Sequence, residues 1–398
     1  MTATNAKKLT VGVIFGGRSV EHDVSVVTGQ QVIRALNPSR YEVVPLYITR
    51  TGVWLTGAPL TDIKTFQNAN VAELMGVNET TLSSGTNPQG TITPPFAGYL
   101  KRSTLKKIDV LFPTIHGTHG EDGTLQGLFE LADIPYVGCG VMASAVANDK
   151  ITTKAVLKEH GIPVLPYVGL SRPQWRTNRE AVLDVLNGIG YPLFVKPATL
   201  GSSIGIGRPE DRAAAAAALD VAFGLDRRVV VEQALEGAIE VNCALLGNDD
   251  PRPSVLEQPI SFQEFLSYED KYLRGGAGKG MKGAERHIPA PISEELTARI
   301  KDMAVAAFRA IDGRGTARID FLVQAGEVYL NEVNTMPGSL AFYLWQAEGM
   351  SPPALCDALI QLALEAHAEK RRTIYDYRSP LLNQAALKGV KGLGGYKK

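Results

Sequence analysis

The chain has 398 residues, of which 44% are hydrophobic and 21% are charged, a composition that fits two or three folded domains and excludes global disorder. Its 41 Lys and Arg residues balance its 41 Asp and Glu residues, so we expect no nucleic-acid partner, although balanced charge does not exclude a local basic patch. Three separated cysteines without a CxxC pair exclude a disulfide framework and a cysteine-based zinc site, and no apolar run reaches the ~18 residues of a membrane span.

The first third of the chain has the pattern of a βαβ unit. Residues 9–15 and 41–48 are predicted to be buried parallel strands, with a helix over residues 19–35 between them. Residues 56–98 are rich in Thr, Asn, Gly and Pro, which predicts an insertion of loops and short helices. A further strand over residues 108–113 ends in a loop rich in His and Gly. This order favours a Rossmann-type N-terminal domain.

The middle of the chain predicts a second α/β unit. A helix over residues 148–160 precedes two strands, 193–197 and 228–232, and the helix between those strands contains six consecutive alanines. The first strand carries Lys196 and runs into the loop 201–207, GSSIGIG. Such a loop lets backbone N–H groups converge on a phosphate, but a plain surface turn has the same composition. Neither a Walker A motif nor a dinucleotide fingerprint is present.

A polar hairpin near the C-terminus is the clearest candidate for metal binding. Residues 317–323 and 328–334 alternate like paired strands, and a three-residue turn over 325–327 would place Gln324 opposite Val328, Asp320 opposite Glu332, and Arg318 opposite Asn334. Opposed side chains lie ~5 Å apart at Cβ. Two carboxylates and an amide at that distance suit Mg²⁺, a hard ion that prefers oxygen ligands. A solvated face with an Arg–carboxylate pair is the alternative.

Seven sequence blocks, taken in order, resemble the D-alanine–D-alanine ligase family of the ATP-grasp superfamily. They are 16–25 (GGRSVEHDVS), 116–127 (HGTHGEDGTLQG), 138–145 (GCGVMASA) with 149–150 (DK), 195–197 (VKP) with 201–203 (GSS), 268–272 (YEDKY), 318–320 (RID) and 331–338 (NEVNTMPG). Any one block could arise by chance, but all seven in order are very specific. The resemblance implies an α/β fold of three domains, an N-terminal Rossmann-like domain and two ATP-grasp subdomains.

The resemblance also implies a two-step reaction and a role for each matching residue. ATP would phosphorylate the carboxylate of one D-alanine, and the amine of a second would attack the acyl phosphate. The residues implied in these steps are Glu21 with the first ammonium group, His116 with the first carboxylate, Ser202 and Tyr272 in a network with Glu21, Arg318 and the N–H of Gly338 in the oxyanion hole, and Ser339 and Leu340 with the second carboxylate.

ATP and metal ions have their own set of implied residues. The ATP contacts are Lys150, Lys196 and Lys271 with phosphates, Ser202 and Ser203 in the phosphate-covering loop, Glu232, Gln233 and Leu235 near the adenine, and Glu240 with the ribose. The metal ligands are Asp320, Glu332 and Asn334, which would hold two Mg²⁺ or Mn²⁺ ions. Two lysines, an arginine and two cations would neutralise the anions that phosphoryl transfer brings together.

Boundaries and surroundings complete these expectations. We predict an N-terminal domain over residues 1–147, a central subdomain over 148–236, a C-terminal subdomain over 237–376 with a lid over 261–286, and a tail over 377–398. The resemblance implies peptidoglycan precursor synthesis, D-alanine and ATP as the molecules bound, no nucleic acid, no membrane and a homodimer. The cysteine count favours the cytoplasm.

Several alternatives remain open on the sequence alone. His116 could be a turn residue, Glu21 a first-turn acid favoured by the helix dipole, and Tyr272 a core residue. Another ATP-grasp ligase or a non-catalytic nucleotide-binding protein would share some of the blocks. D-Serine or D-lactate could replace the second D-alanine, although a lid tyrosine favours attack by an amine. No residue is assigned as the base.

Overall fold

The computed structural model describes residues 7–67, 70–83, 91–93, 106–260 and 286–374. Lys271, Tyr272 and the remainder of the predicted lid up to residue 285 lie outside the described residues, and so does the predicted tail. Within the described ranges, no helix is long and apolar enough to cross a membrane.

The N-terminal unit is a five-stranded sheet with helices on it, in strand order β4-β3-β2-β1-β8. Strand β1 pairs in parallel with β2 and β8, which confirms the predicted βαβ opening. The helix begins at His22 instead of residue 19, because Ser19 forms a turn whose carbonyl accepts from the His22 N–H at 3.2 Å. The elements are β1 (Leu9–Gly16), α1 (His22–Ala35), β2 (Tyr41–Ile48), β3 (Trp54–Thr56), β4 (Asn78–Glu79), β5 (Thr81–Leu82), β6 (Thr91–Thr93), β7 (Lys106–Lys107), β8 (Val110–Pro113), α2 (Thr124–Leu131) and α3 (Val141–Asn148).

The insertion after β3 contains short elements, as its composition predicts. Three 3₁₀ helices cover Ala58–Thr61, Ile63–Gln67 and Val71–Glu73. Strands β5, β6 and β7 form a separate small antiparallel sheet.

The central unit is a three-stranded antiparallel sheet in strand order β10-β11-β9, flanked by helices. The predicted strand 193–197 is observed with those bounds, and the alanine-rich helix begins at Arg212 after its N-cap Asp211 accepts a hydrogen bond from Ala214 N. The elements are α4 (Lys150–Glu159), β9 (Tyr167–Ser171), α5 (Arg172–Thr177), α6 (Arg179–Ile189), β10 (Leu193–Pro197), α7 (Arg212–Leu225) and β11 (Arg228–Gln233).

The C-terminal unit is a five-stranded antiparallel sheet in strand order β14-β13-β12-β15-β16. Odd-numbered residues of β15, such as Ile319 and Phe321, are fully buried under helix α8, so the even-numbered residues face the opposite side. The elements are β12 (Ile239–Gly247), β13 (Arg252–Pro259), β14 (Arg286–His287), α8 (Glu294–Ala310), β15 (Gly315–Gln324), β16 (Glu327–Asn334), α9 (Phe342–Ala347) and α10 (Pro352–Lys370).

The hairpin β15–β16 differs from its predicted turn but not from its predicted polar pairs. Its turn is the two-residue Ala325-Gly326, whose φ angles of 50° and 84° fit a type I′ turn, so Gln324 faces Glu327 and not Val328. A bulge then shifts the register, because Asn331 is an extra residue between the pairs Phe321–Leu330 and Asp320–Glu332. The predicted pairing of Asp320 with Glu332 and of Arg318 with Asn334 is confirmed.

The apolar cores show which units are joined. One core cluster combines β1 and β8 of the N-terminal unit with Trp345, Leu355 and other residues of α9 and α10. The central unit has its own cluster, formed by α6, α7 and its three strands. The N- and C-terminal units therefore share a core, and β9 to β11 of the central unit form a separate one, whereas Leu157 of α4 is buried in a further cluster with the C-terminal sheet.

Candidate active site

A cavity of about 130 Å³ opens where the three units meet. It lies at the polar face of β15–β16, at the N-terminal end of α1, and beside the glycine loop of the central unit. The residues that line it are Glu21, His116, Glu121, Gly201, Ser202, Glu240, Asn242, Glu257, Pro259, Arg286, Arg318, Glu332, Asn334, Met336, Gly338 and Tyr343. A neighbouring cavity of about 50 Å³ shares Glu21, Glu121, Gly201, Glu332 and Asn334 with it and extends to Lys150.

Glu21 and Ser202 meet across the boundary between the N-terminal and central units. The Ser202 hydroxyl donates to Oε1 of Glu21, which is 6% exposed. A side chain at residue 117 would lie 2.5 Å from Oε2 of Glu21, so Gly117 leaves the room that this carboxylate occupies. Ser202 and Ser203 have φ angles of 54° and 61°, an uncommon left-handed conformation for non-glycine residues. The predicted Glu21–Ser202 contact is present in the structure.

His116 is a buried residue that joins helix α1 to the loop after β16. Its Nδ1 lies 3.0 Å from the carbonyl of Met336, so Nδ1 carries the proton and donates. Its Nε2 therefore accepts from the Thr28 hydroxyl at 2.9 Å. Burial lowers the pKa of His116 to about 4, although its hydrogen bond to Met336 acts in the opposite direction. A neutral imidazole of fixed tautomer is the result.

The loop that carries Gly338 has an unusual backbone. Ser339, Leu340 and Ala341 have φ angles of 49°, 50° and 48°, and this strain is held by surrounding contacts. The Ser339 N–H lies 3.4 Å from the Thr28 hydroxyl, and the Leu340 N–H donates to the carbonyl of Pro337 at 2.8 Å. Gly338 lines the cavity, whereas the Leu340 side chain is fully buried in the core.

Arg318 and Asp320 form a two-pronged ion pair on the polar face of the hairpin. Arg318 donates from Nε to Oδ1 at 2.7 Å and from Nη2 to Oδ2 at 2.6 Å, and Asn334 donates to Oδ2 at 2.9 Å. Burial acts to lower the pKa of Arg318, but the charge of Asp320 outweighs it and raises that pKa. The pair uses two of the five guanidinium N–H groups and leaves the others for a ligand.

The donor set on this hairpin suits a hard divalent cation. Asp320, Glu332 and Asn334 present oxygen atoms on one face, beside a cavity lined by five glutamates and two arginines. Burial raises the pKa of Glu121 to about 8, and the neighbouring carboxylate of Glu21 adds to the effect. The carboxylates of this cavity that stay ionised carry the negative charge that Mg²⁺ or Mn²⁺ would compensate. Among the described residues, no group of three or more His, Cys, Asp or Glu side chains is arranged to hold a metal, and the third predicted ligand of this hairpin is the amide of Asn334.

The two predicted phosphate-binding lysines are held by different partners. Lys150, the first residue of α4, donates to the carbonyl of Leu200 at 2.7 Å. Lys196 donates to Oε2 of Glu232 at 2.7 Å and to Oδ1 of Asn331 at 3.2 Å. The bulge in β16 makes the second contact, because the extra residue Asn331 turns toward the same side as Glu332.

The other residues predicted to contact ATP lie along β11 and the start of β12. Gln233 ends β11, Leu235 follows it, and Glu240 lines the cavity. Glu232 is 1% exposed, and each of its oxygens lies beside a lysine ammonium group. Both oxygens of Glu232 are therefore occupied by lysines, whereas Gln233 and Leu235 stay predicted adenine contacts.

Several lining residues were not predicted from the sequence. Glu257, on β13, is contacted by Arg286 at 3.2 Å, by Asn242 at 3.3 Å and by the hydroxyl of Tyr343. The Arg286 guanidinium also lies 4.2 Å from the centre of the Tyr343 ring. Arg286, the last residue of the predicted lid, is thus a partner of a buried carboxylate. No local motif marks these four positions.

Comparison with known proteins identifies the family. Residues 156–361 match the family model described as D-ala D-ala ligase C-terminus, and residues 10–139 match D-ala D-ala ligase N-terminus. The chain is 42% identical over 378 residues to the D-alanine–D-alanine ligase of Bacillus cytotoxicus, covering 92% of this chain and 99% of the relative. The ligase of Geobacillus thermodenitrificans is 40% identical over 376 residues, covering 93% and 99%.

Solved structures agree with this assignment. The D-alanine–D-alanine ligase of Coxiella burnetii superposes with a TM-score of 0.77 at 30% identity, covering 97% of this chain and 100% of that one. The VanG D-Ala:D-Ser ligase of Enterococcus faecalis gives a TM-score of 0.75 at 31% identity, covering 90% and 100%. The predicted class, an α/β enzyme of ATP-grasp fold with an N-terminal Rossmann-like domain, is confirmed.

The chain belongs to the D-alanine–D-alanine ligase family. The predicted family and the predicted ligase activity are thereby confirmed.

Proposed function

We propose that this chain joins two D-alanines at the expense of ATP, by way of an acyl phosphate, for peptidoglycan precursor synthesis. The observation that carries the proposal is the meeting of Glu21, Ser202, Arg318 and Gly338 around one cavity, beside the Asp320–Glu332 pair. Each group comes from a different segment of the chain, and the cavity is where their chemistry converges.

The first step transfers a phosphoryl group between two anions. Lys150 and Lys196 neutralise ATP phosphates, and Glu21 binds the ammonium group of the first D-alanine through its charge. Ser202 holds Glu21 in place through their hydrogen bond. His116, neutral and fixed in one tautomer, keeps the Met336 loop beside that substrate's carboxylate. Positioning and charge neutralisation are the main contributions that a protein makes to phosphoryl transfer.

The second step forms a tetrahedral intermediate that expels phosphate. Arg318 and the N–H of Gly338 donate to the developing oxyanion, and the Ser339–Leu340 segment receives the second carboxylate. A preorganised donor at an oxyanion is worth ~10²–10³-fold in rate. The Arg318 side chain is held in one orientation by its two bonds to Asp320, which supports this role.

The remaining assignments complete the proposal. Asp320, Glu332 and Asn334 hold two Mg²⁺ or Mn²⁺ ions, which when bound compensate phosphate charge. Lys271 and Tyr272 belong to the sequence block that matches the family lid. Three cysteines, free and buried, support a reducing cytoplasmic setting, and the family resemblance supports a homodimer.

A phosphate-release assay tests the function. With ATP, Mg²⁺ and D-alanine as the sole amino acid, we expect release of one phosphate per D-alanyl-D-alanine, identified by mass. The proposal would be overturned if D-alanine gave no phosphate release and another amino acid was turned over.

D-Serine is the second candidate for the acceptor, because a D-Ala:D-Ser ligase is among the similar structures. The same assay with equal concentrations of D-alanine and either D-serine or D-lactate distinguishes the possible acceptors by the mass of the product. We expect the D-Ala–D-Ala product to dominate, and a Tyr272→Phe variant to shift the ratio toward D-lactate. A D-Ala–D-Ser product in excess would favour the alternative.

A further inference from the structure

A buried lysine with no assigned role lies directly behind the candidate phosphate-binding lysine. The Lys154 ammonium group lies 2.9 Å from Oε1 of Glu232, and Lys196 donates to Oε2 of the same carboxylate at 2.7 Å. Lys154 and Glu232 are each 1% exposed to solvent, whereas Lys196 is 9% exposed. The three charges thus run from the interior to the site in the order Lys154, Glu232, Lys196.

The sequence places Lys154 there through helix periodicity. Lys154 follows Lys150 by four residues on α4, so both side chains project from the same face of the helix. Lys150 reaches the glycine loop at the carbonyl of Leu200, and Lys154 lies one turn deeper, against β11. Burying a lysine without access to solvent is costly, so its place requires a partner of opposite charge.

Lys154 affects the candidate active site through the charges of Glu232 and Lys196. Burial acts to raise the pKa of Glu232, but the charges of Lys154 and Lys196 outweigh it and lower that pKa to about 2. Glu232 is therefore ionised at neutral pH. Burial lowers the pKa of Lys154, and the charge of Glu232 acts in the opposite direction. With both lysines protonated, the three groups carry one net positive charge. Without Lys154, Glu232 and Lys196 would form a neutral pair, and Lys196 would be held by its carboxylate.

We propose that Lys154 is a positioning residue for nucleotide binding, which neutralises Glu232 so that the charge of Lys196 is available to a phosphate of ATP. Asn331 adds to this arrangement, since its Oδ1 accepts from Lys196 at 3.2 Å and orients the ammonium group. The inference rests on the proposed function, in which Lys196 contacts ATP. It predicts that Lys154 affects the affinity for phosphates and not the affinity for the nucleoside.

Calorimetric titration with ATP and Mg²⁺, and separately with adenosine, tests the inference. We expect Lys154→Met to raise the dissociation constant of ATP by at least about tenfold, because hydrogen bonds to charged groups are worth roughly that much. The adenosine constant should stay within about twofold. The matched control is Lys158→Met, an exposed lysine one turn further along α4, for which both constants should equal those of the wild type.

A double variant separates charge from structure. Lys154→Met/Glu232→Gln removes both buried charges and leaves Lys196 with its own, so we expect ATP affinity within about threefold of the wild type. The inference is overturned if Lys154→Met binds ATP as the wild type does, if it loses ATP and adenosine equally, or if the double variant binds ATP no better than the single one. If the single variant does not fold, the double variant decides by the same threefold criterion. A wild-type protein that does not bind ATP would instead contradict the proposed function.

Discussion

The backbone N–H of Met336 donates to Oε1 of Glu121 at 3.0 Å, and this bond joins the N-terminal unit to the loop that carries Gly338. The other oxygen of Glu121 accepts from the N–H of Gly117 at 2.8 Å. The carbonyl of Met336 is held in turn by His116. One residue, two positions before the proposed oxyanion donor, is thus fixed at both of its backbone polar groups.

We predict that Glu121→Gln lowers kcat by about 10- to 100-fold and leaves the KM for ATP nearly unchanged. A carboxamide has one acceptor oxygen, so it can keep only one of the two backbone bonds and must turn its NH₂ toward the other N–H. Small displacements of catalytic groups cost rate on this scale. Steady-state phosphate release over a range of ATP concentrations measures both parameters.

The neighbouring carboxylate of Asp122 provides the control for this variant. Asp122 accepts two backbone hydrogen bonds, from the N–H groups of His119 and Thr124, so both of its oxygens serve its own loop. Asp122→Asn should therefore retain kcat within about twofold. Equal losses in the two variants would show that the loop as a whole, and not the bond to Met336, limits activity.

A pH-dependent contribution to stability follows from burial of His116. Its pKa is lowered from 6.5 to about 4, so the unfolded chain takes up a proton at a higher pH than the native one. This contribution to the free energy of unfolding is complete above pH ~7.5 and decreases as the pH falls. The loss amounts to about 2 kcal/mol at pH 5. Urea unfolding at pH 8 and pH 5 measures it.

The reference for this measurement is a His116→Asn variant, whose amide can still donate to the carbonyl of Met336. Burial raises the pKa of Glu121 to about 8, which works in the opposite direction between pH ~4.5 and 8, since a raised pKa favours the native state at low pH. The difference between wild type and variant isolates the histidine. If that difference is the same at both pH values, His116 is not held neutral.

We expect Glu332→Gln to abolish turnover, by at least about 10³-fold, through loss of metal and with the fold intact. The matched control is Glu327→Gln on the same strand, whose carboxylate is exposed and lies 3.3 Å from Arg299. Surface pairs of this kind contribute little, so that variant should keep full activity. Phosphate release and circular dichroism of both variants check this expectation, and near-normal turnover in Glu332→Gln would remove the hairpin from the metal site.

Two helical glycines should respond in opposite directions to substitution by alanine. A Cβ at Gly29 on α1 would lie 2.5 Å from the Cβ of Phe15, so Gly29→Ala should destabilise the protein by about 1–3 kcal/mol. It should also lower activity, because Thr28 beside it is bonded to His116. Gly127 on α2 has nothing within 4 Å, and Gly127→Ala should stabilise by up to about 1 kcal/mol. Urea unfolding measures both: an unchanged or raised stability of Gly29→Ala would contradict the packing of α1 on Phe15, and a lowered stability of Gly127→Ala would contradict the open space at Gly127.

The strands and the polar pairs of the hairpin could be predicted from the alternation of polar and apolar residues and from the glycines that end these runs. Strands 41–48 and 193–197 are observed with the predicted bounds, since buried runs with clear ends have few competing structures. Asp320 and Glu332 could be paired from the period of two alone. The residues that surround Asp320 and Glu332 in the cavity could not be predicted, because residues such as Glu257 and Tyr343 are brought together only by tertiary packing.

The sequence contains a pattern that would have corrected the predicted three-residue turn of the hairpin. Core residues of β16 are Val328, Leu330 and Val333, spaced by two and then by three. A break in the period of two marks an inserted residue, here Asn331. Lys154 left a weaker trace, its four-residue spacing from Lys150, which periodicity alone cannot separate from a solvated helix face.

The core shared by the N- and C-terminal units has a consequence for dissecting the protein. Strands β1 and β8 are buried with Trp345 and Leu355, more than 200 positions away in the chain. A fragment that ends at residue 147 would leave that apolar surface open to water, and we expect it to self-associate when it is produced alone. The segment from β9 to β11 carries its own core and is the part that could be transplanted between relatives as a module, whereas α4 before it is buried with the C-terminal sheet through Leu157. The boundaries at which this chain can be cut are thus the two ends of that segment.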